Sequence, residues 1–381
     1  MTRATYDFDL HGVVGIRLLD ASPANRTTVA RQLGLPVAEL DREPDITIRF
    51  AKLTTHEPLT FVGLRETAYN RNGFFVLRGP GGSAGRTRLP FEALGRSPEL
   101  VCEPSVAAVP HLLAIINLVA LTKDVLPLHA SAFTTGSLGV LVAGWSKGGK
   151  TEALLAAVQR GGCYVGDEWV YLTPDGDMLG LPEPIRVWDW QLRQFPDLLR
   201  QRARADRARL AAWQGVRATA TMASSSRLPG SGLARRAEPL AARQTYLRVS
   251  PHELFGDDRV VPRSALDAVV LMLSHDSPDI ATDLAGPTEF SGRMAASLAE
   301  ERSPLLAHYR QFRFAFPQLS SPLLESAEAR EAALLDRLFV GRRCAKVSHP
   351  HPCNLSALGD AVLSAARAVS ERTTYDPVTT S

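Results

Sequence analysis

Residues 144–151 read Gly-Trp-Ser-Lys-Gly-Gly-Lys-Thr, which satisfies the pattern Gly-x4-Gly-Lys-Thr. Glycines at these positions free the backbone to curl its N–H groups around phosphate oxygens, and a helix opening at the end of the loop adds roughly half a positive charge behind them. A lysine placed as Lys150 is reaches the β- and γ-phosphates, and a hydroxyl placed as that of Thr151 serves Mg²⁺. The chemistry indicated is binding of ATP or another nucleoside triphosphate together with Mg²⁺. Gly144, Ser146, Lys147, Gly148, Gly149, Lys150 and Thr151 are the candidate cradle.

Such a loop works only between a buried strand and a helix, and the flanks supply both expectations. Leu138–Ala143 is short, uncharged and β-rich, the pattern of a strand buried on both faces of a parallel sheet. Thr151–Arg160 is rich in Ala, Leu, Glu and Arg and stops at Gly161-Gly162, which predicts a helix with a glycine exit.

The whole chain of 381 residues can hold two domains, since single cores stop growing at about 250–300 residues. Its 43 basic and 40 acidic residues leave a net charge of +3, which gives no global pull toward nucleic acid or an anionic membrane. The amino terminus has no apolar leader core, and the greasiest stretch, Val106–Leu121, is interrupted by Pro110, His111 and Asn117. A cytoplasmic protein is expected. The four cysteines, at 102, 163, 344 and 353, lack metal-type spacing and are expected as reduced thiols.

Residues 1–104 read as a β-rich domain with strands at Val13–Leu19, Ile46–Phe50 and Gly73–Arg78 and a helix near Arg26–Leu33. Residues 105–370 read as a second, α/β domain. It opens with an all-round apolar helix at His111–Leu121, buried at the domain junction. Further strands are expected at Cys163–Gly166, as a core strand, and at Gln244–Val249, Ala265–Leu273 and Ala345–Pro350. Trp169–Leu172 and Met178–Leu181 pair as a hairpin around Pro174-Asp-Gly-Asp177. Helices are expected at about Ser291–Glu301, Glu328–Phe339 and Leu355–Val369. A flexible basic insert occupies about 198–240, opening with an Arg-rich helix over 200–209 and passing into a Ser/Gly-rich loop, and 371–381 reads as a disordered tail.

Two segments sharpen the functional expectation. Leu128-His129-Ala-Ser131-Ala lies just before the loop strand, and Val165-Gly-Asp167-Glu168 lies after the loop helix. With the loop between them they resemble the HPr kinase/phosphorylase family, whose nucleotide core phosphoenolpyruvate carboxykinases share. The resemblance runs from Leu128 to about Arg186, roughly a sixth of the chain. It implies an α/β fold of that type with a mixed sheet, and an ATP- and Mg²⁺-dependent kinase that moves the γ-phosphate to a hydroxyl. It further implies that Asp167 and Glu168 form the acidic pair that holds Mg²⁺ and accepts the hydroxyl proton, with Asp167 favoured as base. His129 then orients a carboxylate or contacts phosphate. Adjacent carboxylates suit this work, because one can stay ionised on the metal while its charge and burial tune the other toward neutral pH. The residue types alone leave open which does which.

The chain departs from that family in two places. Lys147 stands where the family loop has glycine. No counterpart is found of the basic loops with which HPr kinases recognise HPr and run phosphorolysis, so the acceptor stays open among a protein or peptide serine and a small metabolite. Relatives form oligomers, and a homo-oligomer is possible here too. Arg186, Arg243, Arg248 and Arg293 are candidate cations for the transferred phosphoryl group, and residues 218–240 a candidate lid. His349-Pro-His351-Pro-Cys353 is a weak metal pattern, lacking a nearby carboxylate. Two rival functions are a nucleotide-switched binding module without phosphoryl transfer, and RNA binding through the Arg-rich helix.

Overall fold

A computed structural model describes residues 4–54, 57–64, 66–78, 84–225 and 245–373. The first hundred residues build one sheet. Its strands are β1 (Ala4–Leu10), β2 (Val14–Ala21), β3 (Ile46–Phe50), β4 (Thr60–Val62), β5 (Thr67–Asn70), β6 (Gly73–Arg78), β7 (Ala84–Arg88) and β8 (Glu99–Cys102). They lie in the order β1-β2-β3-β8-β7-β6-β5-β4, with β3 parallel to both its neighbours and the remaining pairs antiparallel. Helix α1 (Pro23–Leu33) begins earlier than its apolar pattern suggests. Ser22 and Asn25 cap it reciprocally and Pro23 presets its first turn.

Helix α2 (Leu112–Leu121) is buried on nearly every side, as its uninterrupted apolar run requires. Next come β9 (Leu126–Leu128), β10 (Ala130–Thr135), β11 (Leu138–Gly144), α3 (Lys150–Gln159), β12 (Cys163–Gly166), β13 (Val170–Leu172), β14 (Asp177–Gly180) and β15 (Ile185–Trp188). Beyond them lie α4 (Asp189–Leu192), α5 (Pro196–Gln201), α6 (Arg204–Ser225), β16 (Tyr246–Val249), α7 (Pro251–Phe255), β17 (Arg263–Ala265), β18 (Ala268–His275) and β19 (Ala281–Ala285). The chain closes with α8 (Pro287–Ala315), α9 (Pro322–Phe339), β20 (Cys344–Pro350) and α10 (Leu355–Thr373).

The fold is mixed α/β. A six-stranded sheet runs β12-β10-β11-β18-β20-β19, with β11, β18 and β20 parallel at its centre. Strand alternation divides these central strands between two cores. Val140, Val142, Val270 and Met272 join Leu154 of α3 and Leu358 and Val362 of α10 on one face. Leu141, Ala143, Val269 and Leu271 join Phe290, Met294 and Leu298 of α8 on the other, in a core continuous with Phe8, Ile16 and Ile48 of the first sheet. A second, antiparallel sheet runs β17-β14-β13-β9 and contains the expected hairpin, β13 with β14. Strand β12 is an edge strand rather than a central one, but Tyr164–Gly166 are buried.

The Arg-rich helix expected over 200–209 is present and longer: α5 and α6 span 196–225, and α6 runs on into the first residues of the expected loop and lid. Ala, Arg, Leu and Gln dominate here and favour helix, and Arg202 with Glu253 and Arg209 with the carbonyl of Tyr246 tie the segment down. The remaining expected loop and lid, residues 226–244, lies outside the described residues, as does the tail from 374 on; residues 371–373 belong to α10. Helix α8 is far longer than Ser291–Glu301 and continues through Pro304. Its buried face, including Leu305, Tyr309 and Phe312, outweighs the backbone hydrogen bond a proline removes. Among the described residues no helix is long and apolar enough to cross a membrane.

Candidate active site

β11 delivers the chain to Gly144, the loop turns, and α3 begins at Lys150. Two glycines are dictated by close approach. A side chain at Gly144 (φ +153°) would meet the carbonyl of Met272 on β18, 2.6 Å away. One at Gly149 (φ +105°) would sit 2.0 Å from Nε2 of His349 on β20. His349 is fully buried, and its Nε2 lies 3.1 Å from the carbonyl of Gly148. The histidine singled out as a weak metal candidate therefore props the loop from beneath. Among the described residues no group of three or more His, Cys, Asp and Glu side chains is arranged to hold a metal ion, so the metal reading of 349–353 is not supported. His351 lines the cleft above the loop.

Lys147 occupies the left-handed region at φ +63° and is exposed. A non-glycine residue there costs about 1–2 kcal/mol, and glycine would relieve it at an entropic cost of about 0.5–1 kcal/mol in the unfolded chain. Lys147→Gly is expected to raise unfolding stability by about 0.5–1 kcal/mol, read by denaturant titration. Lys147→Ala, which keeps the Cβ, should show no such gain; equal stabilities for the two variants would remove the strain argument.

Lys150 is 6 % exposed and its Nζ donates to the carbonyls of Gly144 and Trp145 at 3.1 and 2.9 Å. Burial holds its pKa below the usual lysine range against the pull of Asp167 and Glu168. An ammonium has three donors, so two go to the loop and one is left for an anion. Thr151 Oγ1, on the next residue of α3, lies 3.2 Å from Oδ2 of Asp167.

Asp167 follows β12 directly and is 3 % exposed. Its other oxygen accepts from the hydroxyl of Ser131 on β10. Burial, with the neighbouring Glu168 charge, pushes its pKa up to about 6. Glu168 is set apart by its backbone, a left-handed φ of +64°. Its carboxylate lies 3.1 Å from Nε2 of His129, which lowers its pKa despite burial. His129, between β9 and β10, also has Nδ1 2.6 Å from a carboxylate oxygen of Glu301 on α8. That contact is a close charge pair rather than an aligned hydrogen bond. Burial disfavours the imidazolium, but the two carboxylates outweigh it and raise the pKa of His129. One cleft of about 450 Å³ is lined by the loop, Lys150, Thr151, Asp167, Glu168 and His129.

No family model and no curated protein matches this chain. Among solved structures it is similar to the Hpr(Ser) kinase/phosphatase from Coxiella burnetii, at 13 % identity over 64 % of this chain and 98 % of that one, with a TM-score of 0.24.

The geometry of the cleft adds residues that the sequence did not flag. Glu301 reaches the site from α8, Arg217 from α6, and Glu183 sits close enough for its field to couple to Asp167 and Glu168. Glu301 and Arg217 carry no local sequence signal, whereas Glu183 lies within the segment that resembles the family. So does Ser131, within the His129-Ala-Ser131 run. Of the four arginines considered as cations, Arg186 lines the cleft, Arg248 is its cross-strand partner and does not line it, and Arg293 pairs with Glu289 on α8. Arg243 lies outside the described residues.

Proposed function

We propose that this chain is a phosphotransferase that uses a nucleoside triphosphate with Mg²⁺ and moves the γ-phosphate to a hydroxyl acceptor, a protein or peptide serine or a small metabolite. One arrangement supports this most: a buried carboxylate with a raised pKa, Asp167, stands against the Thr151 hydroxyl in the same cleft as Lys150 and the glycine loop. Proton acceptance near neutral pH needs such a carboxyl, and charge development on a phosphoryl group needs such a lysine.

The residues present fit the triphosphate. The Lys150 ammonium retains a donor beyond its two carbonyl partners, in the cleft that the loop shares with Thr151 and the acidic pair. Mg²⁺, when bound, would neutralise phosphate charge, and Thr151 with Asp167 or Glu168 would be its protein ligands. In the transfer itself the acceptor oxygen forms a bond to the γ-phosphorus and the bond to the β–γ bridging oxygen breaks. The electron pair leaves with the nucleoside diphosphate, and the acceptor proton passes to Asp167. His129, held between Glu168 and Glu301, fixes the orientation of the second carboxylate.

The RNA-binding alternative loses its basis in part, because Arg200 and Arg202 are already paired with Asp197 and Glu253. The first test is binding. A non-hydrolysable ATP analogue with Mg²⁺, at a hundredfold excess over its Kd, is expected to stabilise the full chain by about 2.7 kcal/mol, seen as a raised melting temperature that EDTA reverses. No shift with any purine triphosphate would overturn the proposal. Mass spectrometry of candidate acceptors, with an ADP-release assay, then separates a kinase from a nucleotide-switched binding module.

A further inference from the structure

A second cleft, of about 530 Å³, opens beside the first, and Glu168 and Arg186 line both. Its walls come from distant parts of the chain: Arg31 from α1, Trp169 from just before β13, Glu183 from just before β15, and Arg248 from β16. Arg186 and Arg248 are direct cross-strand partners, so their side chains leave the β15–β16 ribbon on the same face. Like charges placed so repel each other. None of the guanidinium groups of Arg31, Arg186 and Arg248 forms an ion pair with a carboxylate among the described residues. Arg186 lies over the ring of Tyr246 and its charge is felt by Glu168 and Glu183, but neither carboxyl closes an ion pair with it. Glu168 is taken by His129. Glu183 has a buried Oε1 with no hydrogen-bond partner among the described residues, and burial beside Glu168 and Asp167 raises its pKa to about 8, against the opposing pull of Arg186, which favours the protonated carboxyl.

We infer that this second cleft is the acceptor subsite, and that the acceptor is a hydroxyl compound carrying an anionic group, carboxylate or phosphate, which Arg31, Arg186 and Arg248 bind while its hydroxyl is presented at Asp167 and Glu168. The inference rests on the phosphotransferase reading and adds the substrate class to it. Guanidinium groups match the planar oxygens of carboxylates and phosphates, and an anion between Arg186 and Arg248 offsets their mutual repulsion. A protonated Glu183 can donate a hydrogen bond to such a ligand, which an ionised one cannot. Glu168 and Arg186 line both clefts, so an acceptor in the second meets the acidic pair at Glu168.

Calorimetric titration of the full chain with glycerate, glycerol 3-phosphate and uncharged glycerol tests the site. Saturable binding of at least one anion is expected, with none of glycerol at the same concentration, and the anion preferred distinguishes a carboxylate from a phosphate acceptor. Arg31→Gln and Arg248→Gln should each weaken that binding at least fivefold, with Arg31→Lys and Arg248→Lys recovering part of the loss, and melting curves check that each variant is folded. Saturable binding of neither anion, or unchanged affinity in both glutamine variants, overturns the inference. A separate titration with the non-hydrolysable ATP analogue and Mg²⁺ reads the first cleft. Loss of nucleotide binding with anion binding intact would sink the phosphotransferase reading while supporting an anion cleft; the reverse result would sink the cleft alone.

Discussion

Lys150→Met is expected to lower nucleotide turnover by about 10²–10³-fold, measured as steady-state ADP release at saturating substrate. Methionine fills a similar volume but removes the one buried cation that begins α3 and faces the loop. In a site shielded from water, the attraction of that cation for developing phosphate charge is far larger than at a surface. Stability should change much less. The variant loses two hydrogen bonds, to the carbonyls of Gly144 and Trp145, but it also relieves the desolvation that depresses the lysine pKa. A folded variant with near-normal turnover would refute the assignment of Lys150, and with it the phosphate-binding role of the loop.

Asp167→Asn should separate activity from stability, with opposite signs. Turnover is expected to fall by about 10²–10⁴-fold, because asparagine cannot accept the acceptor's proton. In the native chain the rate should rise with pH through about 6, as the carboxyl loses its proton and becomes a base; in the variant that rise should vanish. For stability, the native carboxyl keeps its proton up to about 6, whereas the unfolded one releases it near 3.8. The folded state thus binds more protons in between. The stabilising contribution is complete below the unfolded value and is lost as pH rises through the folded one. Asparagine does not ionise and escapes that loss. At pH 8 the variant should therefore unfold at higher denaturant than the native chain, by up to about 3 kcal/mol, and the gap should close toward pH 4. A variant that is less stable at pH 8 than at pH 4 relative to the native chain would show that Asp167 is not held above its ordinary pKa. Its partner Ser131 then becomes the group to explain.

Local features of the site were legible because their causes are local. The run Leu138–Ala143 alternates nothing and carries no charge, so it had to be a strand buried on both faces, and it is β11. Glycine spacing fixed the turn, and Ala, Leu and Glu after it fixed α3. The hairpin at 170–180 followed from Asp-Gly between two apolar runs. Asp167, Glu168 and His129 were singled out from short motifs, and they do line one cleft with the loop. Lys147 could be recognised as a departure, but not that it would take a left-handed backbone. The longer-range parts were not legible. Glu301 lay at the expected end of a helix, and nothing near it in the chain points to His129. The length of α8 was underestimated because Pro304 is a local stop signal, whereas burial of Leu305, Tyr309 and Phe312 is a tertiary effect. The Arg-rich helix over 200–209 is legible because Ala, Leu, Gln and Arg are good helix formers, whereas its extension to Ser225 is not, and contacts such as Arg202 with Glu253 come from distant elements.

The amino-acid order by itself determined the strand, glycine turn and helix, and the hairpin, since each depends on steric freedom and periodicity within about ten residues of chain. Only the tertiary structure decided how the side chains of the site are tuned. It seats His349 beneath Gly148, sets Glu301 against His129, buries Asp167 enough to raise its pKa, and brings Arg31 of the first sheet's helix to the same cleft as Arg186 and Arg248. Electrostatic tuning depends on distance and burial in space. Segments separated by more than a hundred residues acquire those only when the sheets close on a shared core.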